Sequence, residues 1–258
     1  FLVESIPVLG TAIVNAPHWL YRLYYSIDYP VDNFVVFNNN GRGQITKELD
    51  ALTAIPHRFV KKVSVVHMPS NIGCSGAWNL IIKSFMQAPY WFITNHDLKY
   101  EPGFLELAHK RIKEENAGIV HGKGYSWDFF GITESAVSTC GLFDENFYPG
   151  YCEDSDYGIR ANLCGVKRVD SVGGDYYHGD LMDSYDDGSQ TWRSEPDIAQ
   201  PIHTAHAMNR NYITMKWGSG WDIPDQLPEK DRAFGNPTMP HNFTYFDLNF
   251  NRRKHLGF

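Results

Sequence analysis

The sequence predicts an α/β fold built on a mostly parallel central sheet. Apolar runs typical of β-strands alternate with helical patterns through roughly the first 100 residues, and polar residues follow the strand-like runs. Such an alternation predicts parallel strands joined by right-handed crossovers. Ligands of such sheets bind at the carboxyl ends of the strands, so the loops at those ends are the first candidates for a functional site.

The individual elements are short and are separated by turn residues. Strands are predicted at residues 6–14, 34–37, 63–67 and 90–94. A helix is indicated between the first two strands by apolar residues at helical spacing, which are Trp19, Leu20, Leu23, Tyr24 and Ile27. A second helix is predicted over residues 77–85, and a later one over residues 201–216. We interpret the first part of the chain as having the order βαβαβαβ.

Length and composition fit one large α/β domain or two small ones. The 258 residues are 43% hydrophobic, which allows a sizeable core. The net charge of −7 argues against a protein that binds the phosphate backbone of a nucleic acid. No apolar run approaches the length of a membrane span. We therefore expect neither a nucleic-acid partner nor a transmembrane segment.

The cysteines predict a reducing compartment. They are too sparse for a secreted disulfide scaffold and lack the CxxC spacing of a zinc site. The opening residues also lack the basic segment of a signal peptide. The chain begins with Phe1 and not with Met, which leaves room for a longer protein of which this is one part. We expect a cytoplasmic protein, or one domain of a longer one.

Amides, glycines and one carboxylate follow the predicted strands. In chain order these residues are Asn15, then Asn38, Asn39, Asn40 and Gly41, then Asn71 and Gly73, and then Asn95, His96 and Asp97. None of the loops has the glycine pattern of a dinucleotide site or of a P-loop, which argues against a dehydrogenase and a P-loop NTPase. The same side chains suit a base, a ribose and a metal-bound diphosphate, although Asn and Gly are also ordinary turn residues.

An acidic pair begins another predicted helix. Glu153 and Asp154 follow a Pro-Gly turn and precede apolar residues at helical spacing. Carboxylates are favourable at a helix N-terminus, so the pair can be explained by helix charge alone. The interpretation as catalytic acids depends on a further acid, Asp97, at the end of a buried strand.

The order and spacing of these motifs resemble those of the GT-A glycosyltransferases of family 2. The resemblance spans roughly residues 6–180 and is carried by residues 14–15, 36–39, 71–79, 91–97, 102–104, 140–145 and 153–160. It implies a GT-A catalytic domain over residues 1–180, with a nucleotide-binding half up to about residue 100 and an acceptor half after it. Residues 181–258 would form a helix and an irregular, aromatic-rich tail on the same domain.

The resemblance implies a transfer of sugar from a nucleoside-diphosphate sugar to a hydroxyl of a carbohydrate or glycoconjugate acceptor, with inversion. A UDP-sugar is the first expectation for the donor, with GDP- and dTDP-sugars as alternatives. By the same resemblance Asp154 is the general base and Glu153 a supporting acid. The implied donor-binding residues are Asn15, Asn38, Asn39, Asn71, Gly73, Asn79, Asn95 and His96.

Asp97 and His178 are the metal ligands that the resemblance implies. Asn95 stands where the family has a first Asp, so only Asp97 offers a charged ligand in that motif. His178 lies where related enzymes often place a histidine against the metal, but a single His after aromatic residues is also commonly structural. One Asp and one His favour Mn²⁺ over Mg²⁺.

Two other function classes stay open on the sequence. A glycoside hydrolase would also use two carboxylates, but on either side of one bond and without a nucleotide. A non-catalytic sugar- or nucleotide-binding module is favoured if Asn95 reflects a lost metal site. Aromatic residues of the tail can stack on an acceptor sugar or simply cover the sheet; they are Trp217, Trp221, Phe234, Phe243, Tyr245, Phe246 and Phe250.

Overall fold

The structure is a computed structural model that describes residues 4–182 and 188–217. The aromatic tail predicted after Trp217 lies outside these residues. The described elements follow one another as β1 (Ile6–Ile13), α1 (Pro17–Tyr25), β2 (Val31–Asn38), α2 (Thr46–Leu52), β3 (Val60–His67), α3 (Gly73–Ser84), β4 (Tyr90–Asn95), β5 (Leu98–Tyr100), α4 (Phe104–Glu114), β6 (Ile119–His121), β7 (Phe129–Thr133), α5 (Glu134–Cys140), α6 (Glu153–Leu163), β8 (Arg168–Val169), β9 (Tyr176–His178), α7 (Thr191–Ser194) and α8 (Pro196–Trp217).

A seven-stranded sheet in the order β3-β2-β1-β4-β7-β6-β8 forms the centre of the described part. β1 runs parallel to β2 and β4, β2 parallel to β3, and β6 parallel to β8. β7 is inserted antiparallel between β4 and β6. The predicted mostly parallel sheet is therefore confirmed, and the carboxyl ends of β1, β2, β3 and β4 lie at one edge.

The predicted elements are present, and most have wider bounds; β1, predicted to end at residue 14, ends at Ile13, and α3 begins earlier than predicted, at Gly73, and ends at Ser84. α2 is the helix that the predicted βαβαβαβ order implies between the second and third strands, without a predicted residue range. The short helix predicted at the acidic pair is α6, and the helix predicted over residues 201–216 extends from Pro196 to Trp217. A small second sheet pairs β5 with β9 in antiparallel fashion.

Separate hydrophobic cores cover the two faces of the sheet. Neighbouring residues of β2 alternate between them, since Val36 packs with α1 and α4 whereas Val35 packs with α3 and α5. Gly10 of β1 allows the close approach of α3, because a Cβ at this position would lie 2.5 Å from Ile81 Cγ2. The sheet is thus covered on both sides, and its carboxyl edge is left for the loops.

α8 packs on α6 through a third apolar cluster and a buried set of charges. Ile213 and Trp217 lie in the cluster together with Ile159 of α6. Lys216 Nζ lies 2.7 Å from Asp144 Oδ2 and 2.9 Å from Asp156 Oδ1, and all three side chains are fully buried. The C-terminal end of α8 is therefore fixed to the helix that begins with the acidic pair.

The cysteines at residues 74, 140, 152 and 164 form no disulfide within the described part of the chain. Among the helices described in residues 4–182 and 188–217, none combines the length and the apolar character needed to cross a bilayer.

Candidate active site

A cavity of about 1230 Å³ lies at the carboxyl edge of the sheet. Its walls come from the loops after β1, β2 and β3, from the end of β4, from residues 126–128 before β7, from the start of α6, and from α7 and α8. Small-molecule pockets commonly have volumes of about 300–1,000 Å³. The cavity therefore has room for a nucleotide together with a sugar.

Four of the predicted donor-binding residues line this cavity: Asn39, Asn71, Gly73 and Asn95. Asn39 Nδ2 donates to the Gly73 carbonyl at 3.1 Å, and Asn71 Oδ1 accepts from Gly73 N at 2.8 Å. Gly73 has a φ of +77°, and a Cβ there would lie 3.0 Å from the Pro149 carbonyl oxygen. The start of α3 can therefore approach the loop before α6 only because residue 73 is glycine.

Asn15 and His96 are buried beside the cavity and are not part of its lining. Asn15 Nδ2 donates to the Thr191 carbonyl at 2.6 Å and lies 3.3 Å from Glu195 Oε2. Burial lowers the pKa of His96 below its usual value. Both residues lie at the predicted edge, but the amide of Asn15 is occupied by the segment around α7.

Asn38 and Asn79 lie outside the cavity lining, which differs from the expectation that they contact the donor. Asn38 Nδ2 pairs with His67 Nδ1 at 2.9 Å. The Asn79 side chain donates to the Phe143 carbonyl at 2.9 Å and accepts from Phe143 N at 2.9 Å. The structure gives both amides a role in holding the loops of the site, because their hydrogen-bonding atoms are taken up by the protein.

Glu153 and Asp154 lie on the first turn of α6, and both line the cavity. Glu153 is buried, and its Oε2 accepts no hydrogen bond from the described residues. Asp154 is partly buried, and its Oδ1 accepts from Ser155 N at 2.6 Å and from Ser155 Oγ at 3.3 Å. The pair therefore presents two carboxyl groups in different environments to the same space.

Burial raises the pKa of both carboxyl groups of the pair. The pKa of Glu153 is raised well above its usual value by burial and, in addition, by the charge of Asp154. Burial also raises the pKa of Asp154, while the hydrogen bonds from Ser155 act to lower it. Glu153 is therefore the more readily protonated of the two, and Asp154 the better candidate for an ionised carboxylate.

Asp97 and His178 are brought together by the second sheet. Leu98 pairs with His178 across β5 and β9, which sets His178 Nε2 3.3 Å from Asp97 Oδ1. Burial acts to raise the pKa of Asp97, but the adjacent His178 and His96 imidazoles and the backbone N–H of Gln190 lower it to about 2. Asp97 is thus an ionised carboxylate next to an imidazole, as the metal-site prediction requires.

Asp128 is a further acid at this place that the sequence analysis missed. Its Oδ2 lies 3.5 Å from His178 Nδ1, so the imidazole stands between Asp128 and Asp97. Asp128 Oδ1 accepts from the Tyr176 hydroxyl at 2.7 Å, and its carbonyl accepts from Asn95 N at 2.7 Å. No local motif marks this residue, because it reaches the site only through the insertion of β7 beside β4.

The donor set at Asp97 and His178 fits a divalent cation that shares its ligands with a substrate. Within the described residues, no group of three or more His, Cys, Asp or Glu side chains is arranged to hold a metal ion by itself. Asp97 Oδ1 is buried and has no hydrogen bond there beyond its contact with His178. Cations bound with nucleotides often take one or two protein ligands and complete their shell with phosphate oxygens and water.

Comparisons with known proteins agree with this architecture. No protein-family model matches the sequence. The crystal structure of S. aureus TarS 1–349, a GT-A glycosyltransferase, matches with a TM-score of 0.50 and 12% identity, covering 98% of this chain and 90% of that chain. The chain has a GT-A fold.

A curated relative has the same class of activity that the motifs predict. A galactofuranosyl glycosyltransferase of Leishmania donovani is 22% identical, in a match that covers 61% of this chain and 52% of that protein. The chain spans about half the length of this relative. The predicted GT-A fold is confirmed by the structural match, while the activity and the roles of individual site residues stay predictions.

Proposed function

We propose that this chain is the catalytic domain of an inverting glycosyltransferase that uses a nucleoside-diphosphate sugar and a divalent cation. One observation carries the proposal: the acidic pair of α6 and His178 line a single cavity at the carboxyl edge of a GT-A sheet, and Asp97 lies directly behind His178, at 3.3 Å from its Nε2. The loops after β1, β2 and β3 provide amides and not acids, and a glycoside hydrolase, which binds no nucleotide, does not require such loops. The relative named above supports a galactofuranosyl residue as the transferred sugar, and hence a UDP-sugar as the donor.

The nucleotide half of the donor is assigned to the loops after β2 and β3. Asn39, Asn40 and Asn71 line the cavity there and offer both donors and acceptors for a base and a ribose. Asn40 Oδ1 already accepts from Arg42 N at 3.0 Å and from Gln44 N at 3.2 Å, so the loop after β2 is fixed by its own side chain. A fixed loop loses little freedom when a nucleotide binds.

Asp97 and His178 are the residues that would hold the cation, with Mn²⁺ preferred to Mg²⁺ because one ligand is an imidazole. When bound, the cation supplies positive charge next to the leaving diphosphate. Asn95 lines the cavity beside this pair and can bind a sugar hydroxyl or a water. Asp128 lies on the far side of His178 and orients its ring.

Asp154 is the proposed general base. Its carboxylate takes the proton of the acceptor hydroxyl while that oxygen bonds to the anomeric carbon of the donor. The bond from the anomeric carbon to the diphosphate oxygen breaks as the new one forms, and the nucleoside diphosphate leaves with the electron pair. Direct displacement of this kind inverts the anomeric centre. Glu153, whose pKa burial raises well above its usual value, is the more readily protonated acid and the proposed hydrogen-bond donor to a sugar hydroxyl.

The test is nucleotide binding with and without metal. We expect UDP to stabilise the protein in a thermal-shift assay and to bind in calorimetry only when Mn²⁺ is present, with GDP and dTDP weaker. Asp97→Ala should abolish this binding, because it removes the charged ligand of the proposed cation. Asp170→Ala is the matched control, since Asp170 is exposed and lies outside the cavity lining.

Activity assays distinguish a glycosyltransferase from a non-catalytic binding module and from a glycoside hydrolase. We expect release of UDP from UDP-galactofuranose in the presence of Mn²⁺ and a sugar acceptor. Tight binding of UDP without turnover of any sugar nucleotide would favour a non-catalytic module. Cleavage of glycosides without any nucleotide would favour a hydrolase. Unchanged Mn²⁺-dependent affinity in Asp97→Ala would refute the metal assignment.

A further inference from the structure

Residues 188–195, which we call the strap, cross the edge of the cavity and contact the ends of three strands. Gln190 N donates to Asp97 Oδ2 at 2.6 Å, just after β4. The Thr191 carbonyl accepts from Asn15 Nδ2 at 2.6 Å, after β1. Arg42, in the loop after β2, pairs with the carboxylate of Glu195 at the end of the strap. The strap therefore occupies polar groups on the same edge that is assigned to the donor.

The Glu195 carboxylate lies between two donors that suit an anion. Its Oε1 is 3.6 Å from an Arg42 guanidinium nitrogen, and its Oε2 is 3.3 Å from Asn15 Nδ2. A guanidinium beside an amide N–H offers several N–H groups to one anion, and phosphate oxygens have the geometry that a guanidinium recognises best. In the structure this place is taken by a carboxylate of the chain itself.

The charge of the cavity makes the contact between Glu195 and Arg42 important for the binding of an anion. Among the described residues that line the cavity, one is an arginine and four are acids, namely Asp128, Glu153, Asp154 and Glu195. A nucleoside diphosphate is an anion, so those of the four acids that are ionised disfavour its entry unless positive charge is made available. Releasing Arg42 from Glu195 both frees a cation and removes a carboxylate from the place where the anion binds.

We propose that Arg42 binds the phosphate oxygens of the donor and that Glu195 holds this position in the free protein. The inference rests on the proposed function and names a donor-binding residue and its internal competitor. A bound donor and the strap carboxylate exclude each other, because both require Arg42 and Asn15. Donor binding then displaces the strap, and the bond from Gln190 N to Asp97 is released at the same time.

The first experiment measures the affinity for UDP in the presence of Mn²⁺ by calorimetry. Glu195→Gln keeps the size of the side chain and removes its charge, so UDP should bind about two- to fivefold more tightly, the range of one exposed ion pair. Arg42→Ala should weaken UDP binding by about tenfold and change the affinity for uridine much less, because uridine has no phosphate. Glu106→Gln, an exposed change of the same type on α4, should leave the affinity unchanged.

The second experiment follows backbone hydrogen exchange of residues 188–195. Saturation with UDP and Mn²⁺ should speed the exchange of these amides, because the strap leaves its contacts. Slower exchange would show that the strap closes over the nucleotide as a lid and would overturn the inference. Unchanged or weaker UDP binding by Glu195→Gln would overturn it as well, while leaving the proposed function intact. Failure of the wild-type protein to bind UDP at all would refute the proposed function itself.

Discussion

Replacing Lys216 tests whether the buried charges at the end of α8 hold the acidic helix in place. The Lys216 ammonium is fully buried between Asp144 and Asp156, at 2.7 Å and 2.9 Å. Lys216→Met keeps most of the length of the side chain and removes its charge. The two carboxylates then lose a shared cation in an environment that is closed to water.

The expected loss of stability follows from the partners that remain. Removing one member of a buried ion pair costs about 3–5 kcal/mol. Asp156 keeps the guanidinium of Arg160 at 3.1 Å, and Asp144 keeps the hydroxyl of Tyr212 at 2.9 Å. The lower end of that range applies, about 3 kcal/mol, which corresponds to a fall in Tm of roughly 6–12 °C for a chain of this size.

Thermal unfolding followed by circular dichroism measures this change, with Lys110→Met as the matched control. Lys110 is an exposed lysine of α4 whose contact with Glu114 is 4.0 Å long, so its loss should cost less than about 0.5 kcal/mol. The double variant Lys216→Met/Asp144→Asn should recover part of the stability, because it also removes the unpaired carboxylate. A Tm of Lys216→Met equal to that of Lys110→Met would refute the assignment of these charges as a stabilising cluster.

The pH dependence provides an independent check on the same cluster. Burial acts to raise the pKa of Asp144, but Lys216 and the hydrogen bonds from Asn146 and Tyr212 bring it below the usual 3.8. A carboxyl group with a lowered folded-state pKa contributes stability above its unfolded pKa, and this stability is lost as the pH falls through the folded value. The Tm difference between wild type and Lys216→Met should therefore narrow below about pH 3.8. A constant difference would contradict the charge mechanism.

Three substitutions test the acids and the imidazole of the site. Asp154→Asn keeps the size and hydrogen bonding of the side chain but removes its basicity, so the rate of sugar transfer should fall by roughly 10²–10⁴-fold with donor binding unchanged. NMR of the wild-type product should show inversion at the anomeric carbon, and retention would reject direct displacement. Glu153→Gln should have a higher Tm than wild type, and the difference should grow as the pH rises from 4.5. Burial and the charge of Asp154 raise the folded-state pKa of Glu153, so the wild type loses stability as the pH rises towards that pKa, whereas Gln does not titrate. A difference in Tm that does not depend on pH would contradict this. His178→Ala should raise the Mn²⁺ concentration needed for half-maximal UDP binding in calorimetry, while the preference for UDP over GDP should not change. If wild type and variant need the same Mn²⁺ concentration, His178 has a structural role and is not a metal ligand.

The first strands could be predicted from the sequence because their apolar residues are consecutive. Their limits could not, because main-chain pairing extends them past the apolar run. β2 begins at Val31 and includes the polar residues Asp32 and Asn33, since Val31 pairs with both Ile6 and Val60. The edge strand β3 includes lysines on its exposed side for the same reason. Backbone hydrogen bonds are indifferent to side-chain polarity, so a hydrophobic pattern underestimates such strands.

Residues near a strand end or a helix start were the predictable part of the site. Glu153 and Asp154 lie on the first turn of α6, and Asp97 lies just after β4, as their local patterns indicate. Arg42 and Asp128 have no such pattern. They reach the cavity only because a loop after β2 folds towards the strap and because β7 inserts beside β4.

Amides were the least predictable residues, since an amide serves a ligand or a loop equally well. Asn39 and Asn79 were both predicted to contact the donor, but only Asn39 lines the cavity. The difference is made by the loop after α5, whose Phe143 takes both hydrogen-bonding ends of the Asn79 side chain. This contact joins residues that are far apart in the chain, so no local pattern could have indicated it.

Contacts between distant parts of the chain also explain why an asparagine is acceptable at residue 95, where the related enzymes have an aspartate. Asn95 lines a cavity whose described walls already carry four acids, and Asp128 stands 3.5 Å from the imidazole of His178. A further carboxylate at residue 95 would add negative charge next to Asp97 and Asp128, at the place where the proposed donor brings its diphosphate. A neutral amide keeps a hydrogen-bonding group there without that repulsion. The loss of the first acid of the motif is therefore compatible with the proposed donor site.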